Sequence, residues 1–154
     1  HYFEHFMEGL CDAQGVKLSD CFANSFCLSA DVSNAFDPNW PETCDKRNNS
    51  QLNYGVAICK YTGSRGKGGA SDASAEAMGH VRSMLDKAGV IWQIATLGKV
   101  DQGGGGTVAA YMANRNIVTV DAGVPVLSMH APLELVSKLD CYETMLACKA
   151  IYLA

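Results

Sequence analysis

The sequence lacks three features that would each indicate a particular class of protein. No apolar run approaches the ~18 residues that span a membrane, so no membrane-spanning helix is predicted. Basic residues are not in excess, because 12 Lys and Arg stand against 16 Asp and Glu and give a formal net charge of −4. A nucleic-acid partner is therefore not expected. With 15 glycines and only four prolines among 154 residues, the composition favours neither a disordered nor a fibrous chain.

Patterns of paired cysteines are also missing. The seven cysteines are an odd number, and no two of them form a CxxC pair. Such usage is typical of a reducing cytoplasm rather than of a disulfide framework, so we expect a cytoplasmic protein. The chain begins within the amphipathic segment HYFEHFMEGL, and we therefore expect further residues upstream in the complete protein.

Strand and helix signals alternate along the chain, whose length suits a single domain. Apolar, β-rich runs predict strands at 22–30, 54–61, 90–96, 117–121 and 124–127. Cap residues at 71–74 and the stop signal Gly89 enclose one predicted helix, and others are predicted over 107–115 and from Pro132 onward. The predicted apolar face of the last helix comprises Leu135, Leu139, Tyr142, Leu146, Ala150 and Leu153. This order predicts an α/β fold, a mixed or parallel sheet with flanking helices.

Two residues that follow predicted strands are candidates for metal binding. Asp31 ends the segment FCLSAD, and His130 ends PVLSMH. Sites in open α/β sheets gather beyond the carboxyl ends of strands, and carboxylates and imidazoles are ligands that zinc accepts. The residues alone leave an alternative open, in which Asp31 forms a turn and His130 is bonded to the backbone.

Glycine-rich loops precede two of the predicted helices. The run Gly103–Gly106 before Thr107 would let the backbone approach a phosphate, a carboxylate or a carbonyl oxygen closely. It matches neither GxxxxGK[ST] nor GxGxxG in the required context, and a tight turn explains the spacing equally well. The cations Lys60, Arg65 and Lys67 lie around the other loop and by themselves indicate a solvated surface.

Four segments nevertheless occur together in a distinctive order. They are SADVSNAFDPN (29–39), KYTGSRGKGGASDASAE (60–76), LGKVDQGGGGT (97–107) and GVPVLSMHAPLELVSKLDCYET (123–144). Over residues 24–154 the chain resembles the C-terminal part of the M18 family of aminopeptidases, and most of all its bacterial branch. The fold that this resemblance implies is the catalytic domain of a zinc peptidase, of the phosphorylase/hydrolase-like type.

The resemblance implies a cytosolic exopeptidase that uses two zinc ions to release N-terminal amino acids from peptides. Asp31 and His130 correspond to the family's late metal ligands, which bind different metals and are joined by a bridging carboxylate from upstream. Two metals polarise the scissile carbonyl and lower the pKa of a water molecule, while a carboxylate moves the proton.

The resemblance also implies a set of substrate-binding residues. Lys60 corresponds to a lysine that faces the substrate, where it would give an acidic side chain a charge-assisted partner. Asn34 and Lys67 stand where the eukaryotic branch has His and Tyr, so the preference for acidic N-terminal residues stays open. The remaining residues expected to contact substrate are Gly104, Gly105, Gly106, Thr107 and Met129.

Several parts of the family's site have no counterpart in this sequence. It contains neither an HxD motif nor a Glu-Glu pair, so the first metal-binding His, the bridging Asp and the catalytic glutamates are expected upstream. The dimer-forming insertion is also absent. We therefore predict that residues 1–154 are the C-terminal portion of one metallopeptidase catalytic domain, hold no catalytic base and are inactive alone. The family's dodecamers imply a homo-oligomer.

Two other functions compete with the peptidase hypothesis. The chain could be a non-catalytic assembly or binding module that keeps the same fold, or a phosphate-binding α/β domain that uses Gly103–Gly106. Retention of both Asp31 and His130 argues against the first alternative. The absence of a Walker-type lysine from the loop argues against the second.

Overall fold

The computed structural model describes residues 1–62, 71–99, 102 and 104–154. The α-helices within these ranges are α1 (Tyr2–Gln14), α2 (Leu18–Ala23), α3 (Ala75–Ala88), α4 (Ala109–Ala113) and α5 (Lys138–Tyr152). The strands are β1 (Phe26–Ser29), β2 (Ser33–Asn34), β3 (Val56–Cys59), β4 (Trp92–Ala95), β5 (Val118–Gly123), β6 (Pro125–Leu127) and β7 (Leu135–Val136). A 3-10 turn covers Pro41–Thr43. No helix of the described part is both long and apolar enough to cross a membrane.

The strands form two sheets, of which the larger has the order β1-β5-β3-β4. In it β1 pairs parallel with β5, β5 pairs antiparallel with β3, and β3 pairs parallel with β4. The smaller sheet has the order β2-β6-β7. The predicted α/β fold with a mixed sheet and flanking helices is thus confirmed.

The core lies where α3 and α5 pack near the central strand β3. All four residues of β3 are buried, and Val56 and Ile58 join Val81 and Leu85 of α3 in one apolar cluster. The Ser74 side chain accepts a hydrogen bond from the N–H of Ala77, at 3.1 Å, and so caps the start of α3. Gly89 ends the helix in the left-handed conformation, so the helix predicted from its caps is confirmed.

The first strand begins later than predicted. Residues 22 and 23 belong to α2, and β1 starts at Phe26. The Asn24 and Ser25 side chains donate to the Asp20 and Cys21 carbonyls at 2.8 and 2.7 Å, which satisfies the end of α2 and separates it from the strand. A short apolar run cannot by its periodicity show where a helix gives way to a strand.

The prediction that the last helix begins at Pro132 is wrong. Residues 135–136 form β7, which pairs antiparallel with β6. The Ser137 side chain accepts a hydrogen bond from the N–H of Leu139 at 3.2 Å, and the helix starts there. Leu139 and Tyr142 on the predicted apolar face are exposed, whereas Asp140 and Ala147 are buried. The α4 helix is also shorter than the predicted range 107–115.

All seven cysteines are free thiols. Burial raises the pKa of Cys59 to about 11, and burial together with the negative charge of Asp121 also raises the pKa of Cys27. Both side chains lie in strands of the larger sheet and stay protonated at neutral pH. They therefore act as packing residues rather than as nucleophiles.

Candidate active site

One cavity of about 390 Å³ brings together most of the residues expected to form a site. It is bounded by the loop after β1, the glycine loop before α4 and the segment after β6. The expected site residues that line it are Asp31, Asn34, Gly104, Gly105, Gly106, Thr107, Met129 and His130. The cavity thus joins the two candidate metal ligands to the wall expected to contact substrate.

Asp31 follows β1, where the chain leaves the larger sheet. Its side chain is exposed, and one carboxylate oxygen accepts the N–H of Val32 at 2.8 Å. Gly123 at the end of β5 allows the close approach of this segment, because a Cβ there would lie 1.7 Å from the Asp31 carbonyl oxygen. Because the Asp31 side chain is exposed, its carboxylate is accessible to a cation.

His130 follows β6 and has a positive φ of 67°, which is uncommon for a residue other than glycine. Its N–H donates to the carboxylate of Glu134, and Ser128 two residues earlier also has a positive φ, 58°. Backbone strain of this kind costs about 1–3 kcal/mol per residue and clusters at functional sites. This turn places an exposed imidazole at the cavity.

The glycine loop forms another part of the wall. Gly104 has a φ of 94°, which favours glycine, while a Cβ on Gly105 would meet no atom within 4 Å. Thr107 ends the loop, and its hydroxyl lies 3.0 and 2.9 Å from the two carboxylate oxygens of Asp121. Because α4 begins at Ala109 and has only five residues, the loop rather than a helix terminus faces the cavity.

Asp121 is a buried carboxylate that the sequence did not single out. It is 5% exposed, and burial raises its pKa. Hydrogen bonds from Ser29, Thr107 and Ser71 oppose that rise, whereas the negative charge of Asp31 adds to it. A signal was present in the sequence, because Asp121 closes the apolar run predicted as a strand over 117–121, just as Asp31 closes FCLSAD.

Asn34 is held in place from two sides. Its side-chain amide nitrogen donates to the sulfur of Cys44 at 3.4 Å, and its main-chain carbonyl oxygen accepts the Ser50 hydroxyl at 2.9 Å. The buried Cys44 sulfur also accepts the Asn49 amide at 3.3 Å. The orientation of the Asn34 side chain in the cavity is therefore set by the segment that contains the 3-10 turn.

Lys60 is not among the residues that line this cavity. Its ammonium lies 2.6 Å from a carboxylate oxygen of Asp72 and 3.0 Å from the Ala73 carbonyl. Both charged side chains are partly exposed, so this ion pair contributes about 0–1 kcal/mol. Lys67, Arg65 and Gly103, which the sequence placed in or beside the site, lie outside the described residues.

Two of the residues that line the cavity carry ligand types suited to zinc. The Asp31 carboxylate and the His130 imidazole are ligand types that zinc accepts. Within residues 1–62, 71–99, 102 and 104–154, no three or more His, Cys, Asp or Glu side chains are grouped to hold a metal ion. Asp31 and His130 therefore fit a metal centre by their chemistry, as two ligands of an incomplete set among the described residues.

Comparison with known proteins agrees with this geometry. The family model described as aminopeptidase I zinc metalloprotease (M18) matches residues 1–152. A probable M18 family aminopeptidase 1 from Clostridium acetobutylicum is 52% identical over 136 residues, which cover 88% of this chain and 29% of the relative. The Thermotoga maritima relative of the same name is 46% identical over 145 residues, covering 94% and 32%.

Solved structures give the same result. The crystal structure of an M18-family aminopeptidase from Thermotoga maritima matches with a TM-score of 0.92 and 42% identity, over 97% of this chain and 34% of that one. The structure of aminopeptidase I from Clostridium acetobutylicum matches with a TM-score of 0.88 and 47% identity, over 97% and 32%. The chain therefore spans about a third of the length of these relatives.

Proposed function

Because this chain belongs to the M18 family of aminopeptidase I zinc metalloproteases, we propose that it forms part of the active site of an enzyme that releases N-terminal amino acids from peptides. The observation that carries the proposal is the shared cavity. Asp31 and His130 follow strands of different sheets, yet both line it together with the glycine loop.

In this proposal Asp31 and His130 each bind one of two zinc ions. Two bound zinc ions would polarise the scissile carbonyl and lower the pKa of a water molecule. The chain's own contribution is to hold one carboxylate and one imidazole at the same cavity. The strained turn at His130 and the close contact of Gly123 with Asp31 restrict where these side chains stand.

The glycine loop would bind the substrate through backbone groups. Gly104–Gly106 carry no side chains, so a peptide can lie close to their N–H and carbonyl groups. Asn34 and Met129 complete the wall with one polar and one apolar side chain. Lys60 and Lys67 are proposed to contact substrate. For Lys60 to meet an acidic substrate side chain, it must exchange its Asp72 partner.

The remaining parts of the enzyme are proposed to lie upstream. Residues 1–154 would be the C-terminal portion of one catalytic domain, and the upstream portion would supply the bridging carboxylate, the other metal ligands and the general base. The match of this chain to only about a third of each solved relative supports this division. We further propose a cytoplasmic homo-oligomer.

Substitution of the two proposed ligands tests this function. In the full-length protein, D31N and H130Q should each lower the zinc content and reduce hydrolysis of aminoacyl-nitroanilides by ~100-fold or more, since even partners of metal ligands cost 10–100-fold in affinity or activity. Zinc is measured by elemental analysis of the purified protein and activity by nitroaniline release.

Two matched controls lie outside the cavity. Asp45 also accepts a backbone N–H from a nearby residue, Arg47, and His80 is exposed on α3. D45N and H80Q should keep the zinc content and turnover of the wild type. Normal zinc content and turnover in both D31N and H130Q would refute the assignment of these residues as ligands.

A further inference from the structure

A buried carboxylate lies behind the cavity wall, and the zinc ligation proposed above does not use it. Asp121 sits in the interior strand β5, where it pairs with Ser29 of β1 and Cys59 of β3. It is 5% exposed, and its strand neighbours Val120 and Ala122 are each 1% exposed. Burial of a carboxylate costs free energy unless hydrogen bonds offset that cost. The hydrogen-bond partners of Asp121 therefore indicate its role.

The partner of Asp121 that reaches the cavity is Thr107. The Thr107 hydroxyl lies within hydrogen-bond distance of both carboxylate oxygens, at 3.0 and 2.9 Å. Thr107 itself lines the cavity and directly follows the glycines of the loop. The pair therefore connects the interior of the larger sheet with the wall that faces the candidate metal ligands.

A loop of successive glycines has no side chains with which to hold its own shape. Glycine loses more conformational freedom on ordering than any other residue, so such a loop stays open to many backbone conformations. Gly104–Gly106 are all exposed, and Thr107 is the first residue after them that carries a polar side chain. The bond to Asp121 is thus the side-chain anchor at this end of the loop.

We propose that Asp121 is a positioning residue, which fixes the glycine loop against the cavity through the Thr107 hydroxyl. The consequence for peptide turnover rests on the function proposed above, whereas the anchoring of the loop does not. Without this hydrogen bond, the glycine loop should move away from the position in which it lines the cavity. The loop would then bind substrate less well while the metal ligands keep their places.

Amide hydrogen exchange of the full-length protein tests the anchoring directly. T107V removes the hydroxyl at nearly constant volume and should speed exchange in peptides covering 104–108 by about tenfold, the equivalent of one charge-assisted hydrogen bond. T107S, which keeps the hydroxyl, should restore the protection. T119V is the matched control, because it removes a buried hydroxyl of β5 that donates to the Ile117 carbonyl.

Steady-state kinetics tests the consequence for the site. T107V and D121N should each raise KM by about tenfold, with a smaller change in kcat and an unchanged zinc content. The double variant should be no worse than the more impaired single variant, because both changes break the same contact. The T107S variant, which keeps the hydroxyl, should have a KM close to that of the wild type.

The anchoring of the loop and the proposed peptidase function would be refuted by different results. Unchanged loop exchange in T107V, or an equal change in T119V, would refute the anchoring by Asp121. Additive effects on KM in the double variant would also refute it, since the two residues would then act separately. Absence of peptidase activity from the wild type would refute the proposed function alone, because the exchange measurement would still decide the role of Asp121.

Discussion

Asp31 reaches the cavity because a glycine stands opposite its main chain. A Cβ at Gly123 would lie 1.7 Å from the Asp31 carbonyl oxygen, a distance that no side chain tolerates. The glycine therefore permits the end of β5 to pass directly beside the residue that follows β1. The chemistry of the carboxylate depends in this way on a residue that has no functional group of its own.

Substitution of Gly105 tests the glycine loop as a wall of the substrate site. The position is exposed, and a Cβ there would meet no atom within 4 Å, so the fold should accept a side chain. G105V should place its methyl groups in the space of the substrate and lower kcat/KM at least about tenfold, since small steric changes in a pocket have effects of this size. The zinc content should not change. Steady-state kinetics and elemental analysis provide the measurements.

Gly79 provides the control for this substitution. It is exposed on α3, where a Cβ would also meet open space, and it does not line the cavity. G79V should therefore retain the kcat/KM of the wild type. Equal kinetics for G105V and the wild type would mean that the loop is only a turn and does not contact substrate.

Residues at the ends of strands could be selected from the sequence, whereas their contacts could not. Asp31 and His130 stood out because each polar residue closes an apolar run, and the fold brings both to one cavity. Their role as ligands stays a prediction. The contact of Thr107 with Asp121 depends on a loop conformation, and the contact of Gly123 with Asp31 depends on pairing between β1 and β5. Neither follows from local sequence.

At the level of secondary-structure elements, a helix was predicted correctly where its start and stop signals lie at its true ends. Ser74 and Gly89 bracket α3, and both occupy the cap positions that the sequence predicts. Pro132 was a misleading start signal, because the residues after it turn back as β7 before Ser137 caps α5. Pairing of β7 with β6 is a tertiary interaction, which a local helix signal cannot reveal.

Asp140 in the first turn of α5 is expected to stabilise the fold. It is 1% exposed, and its carboxylate accepts the N–H of Asn53 at 2.8 Å and of Gly55 at 2.9 Å, just before β3. D140A would leave these donors unpaired and should lower the free energy of unfolding by about 3 kcal/mol, whereas D140N keeps one oxygen and should cost less. Urea unfolding of the full-length protein measures both.

Glu76 provides the comparison for Asp140. It also lies in the first turn of a helix, but its side chain is exposed. E76A should therefore cost no more than about 1 kcal/mol, the value of a favourable charge near a helix N-terminus. A loss of stability in D140A as small as that in E76A would show that the bonds to the loop before β3 contribute little.

At the scale of the molecule, apolar surface is left uncovered around the larger sheet. The edge strands β1 and β4 expose Phe26 and Ile94 by 37% and 43%, and Val118 in β5 is 45% exposed. A second cavity, of about 480 Å³, opens beside β1 and is lined mainly by apolar side chains of α1, β1 and α5. Strands of this composition are normally covered on both faces, and open edges promote association.

We therefore predict that residues 1–154 alone are poorly soluble and inactive, and that joining them to the upstream portion restores activity. The exposed apolar residues should drive aggregation, and the two candidate ligands should not support hydrolysis without the general base proposed to lie upstream. Sedimentation velocity and hydrolysis of aminoacyl-nitroanilides with added zinc, measured on the isolated chain and on the full-length protein, test both parts. A monodisperse monomer that cleaves these substrates would show that the 154 residues contain a complete site. In that case the proton acceptor would have to be sought among Asp37, Glu42 and Glu134, the carboxylates that the chain itself provides near the predicted metal ligands in sequence.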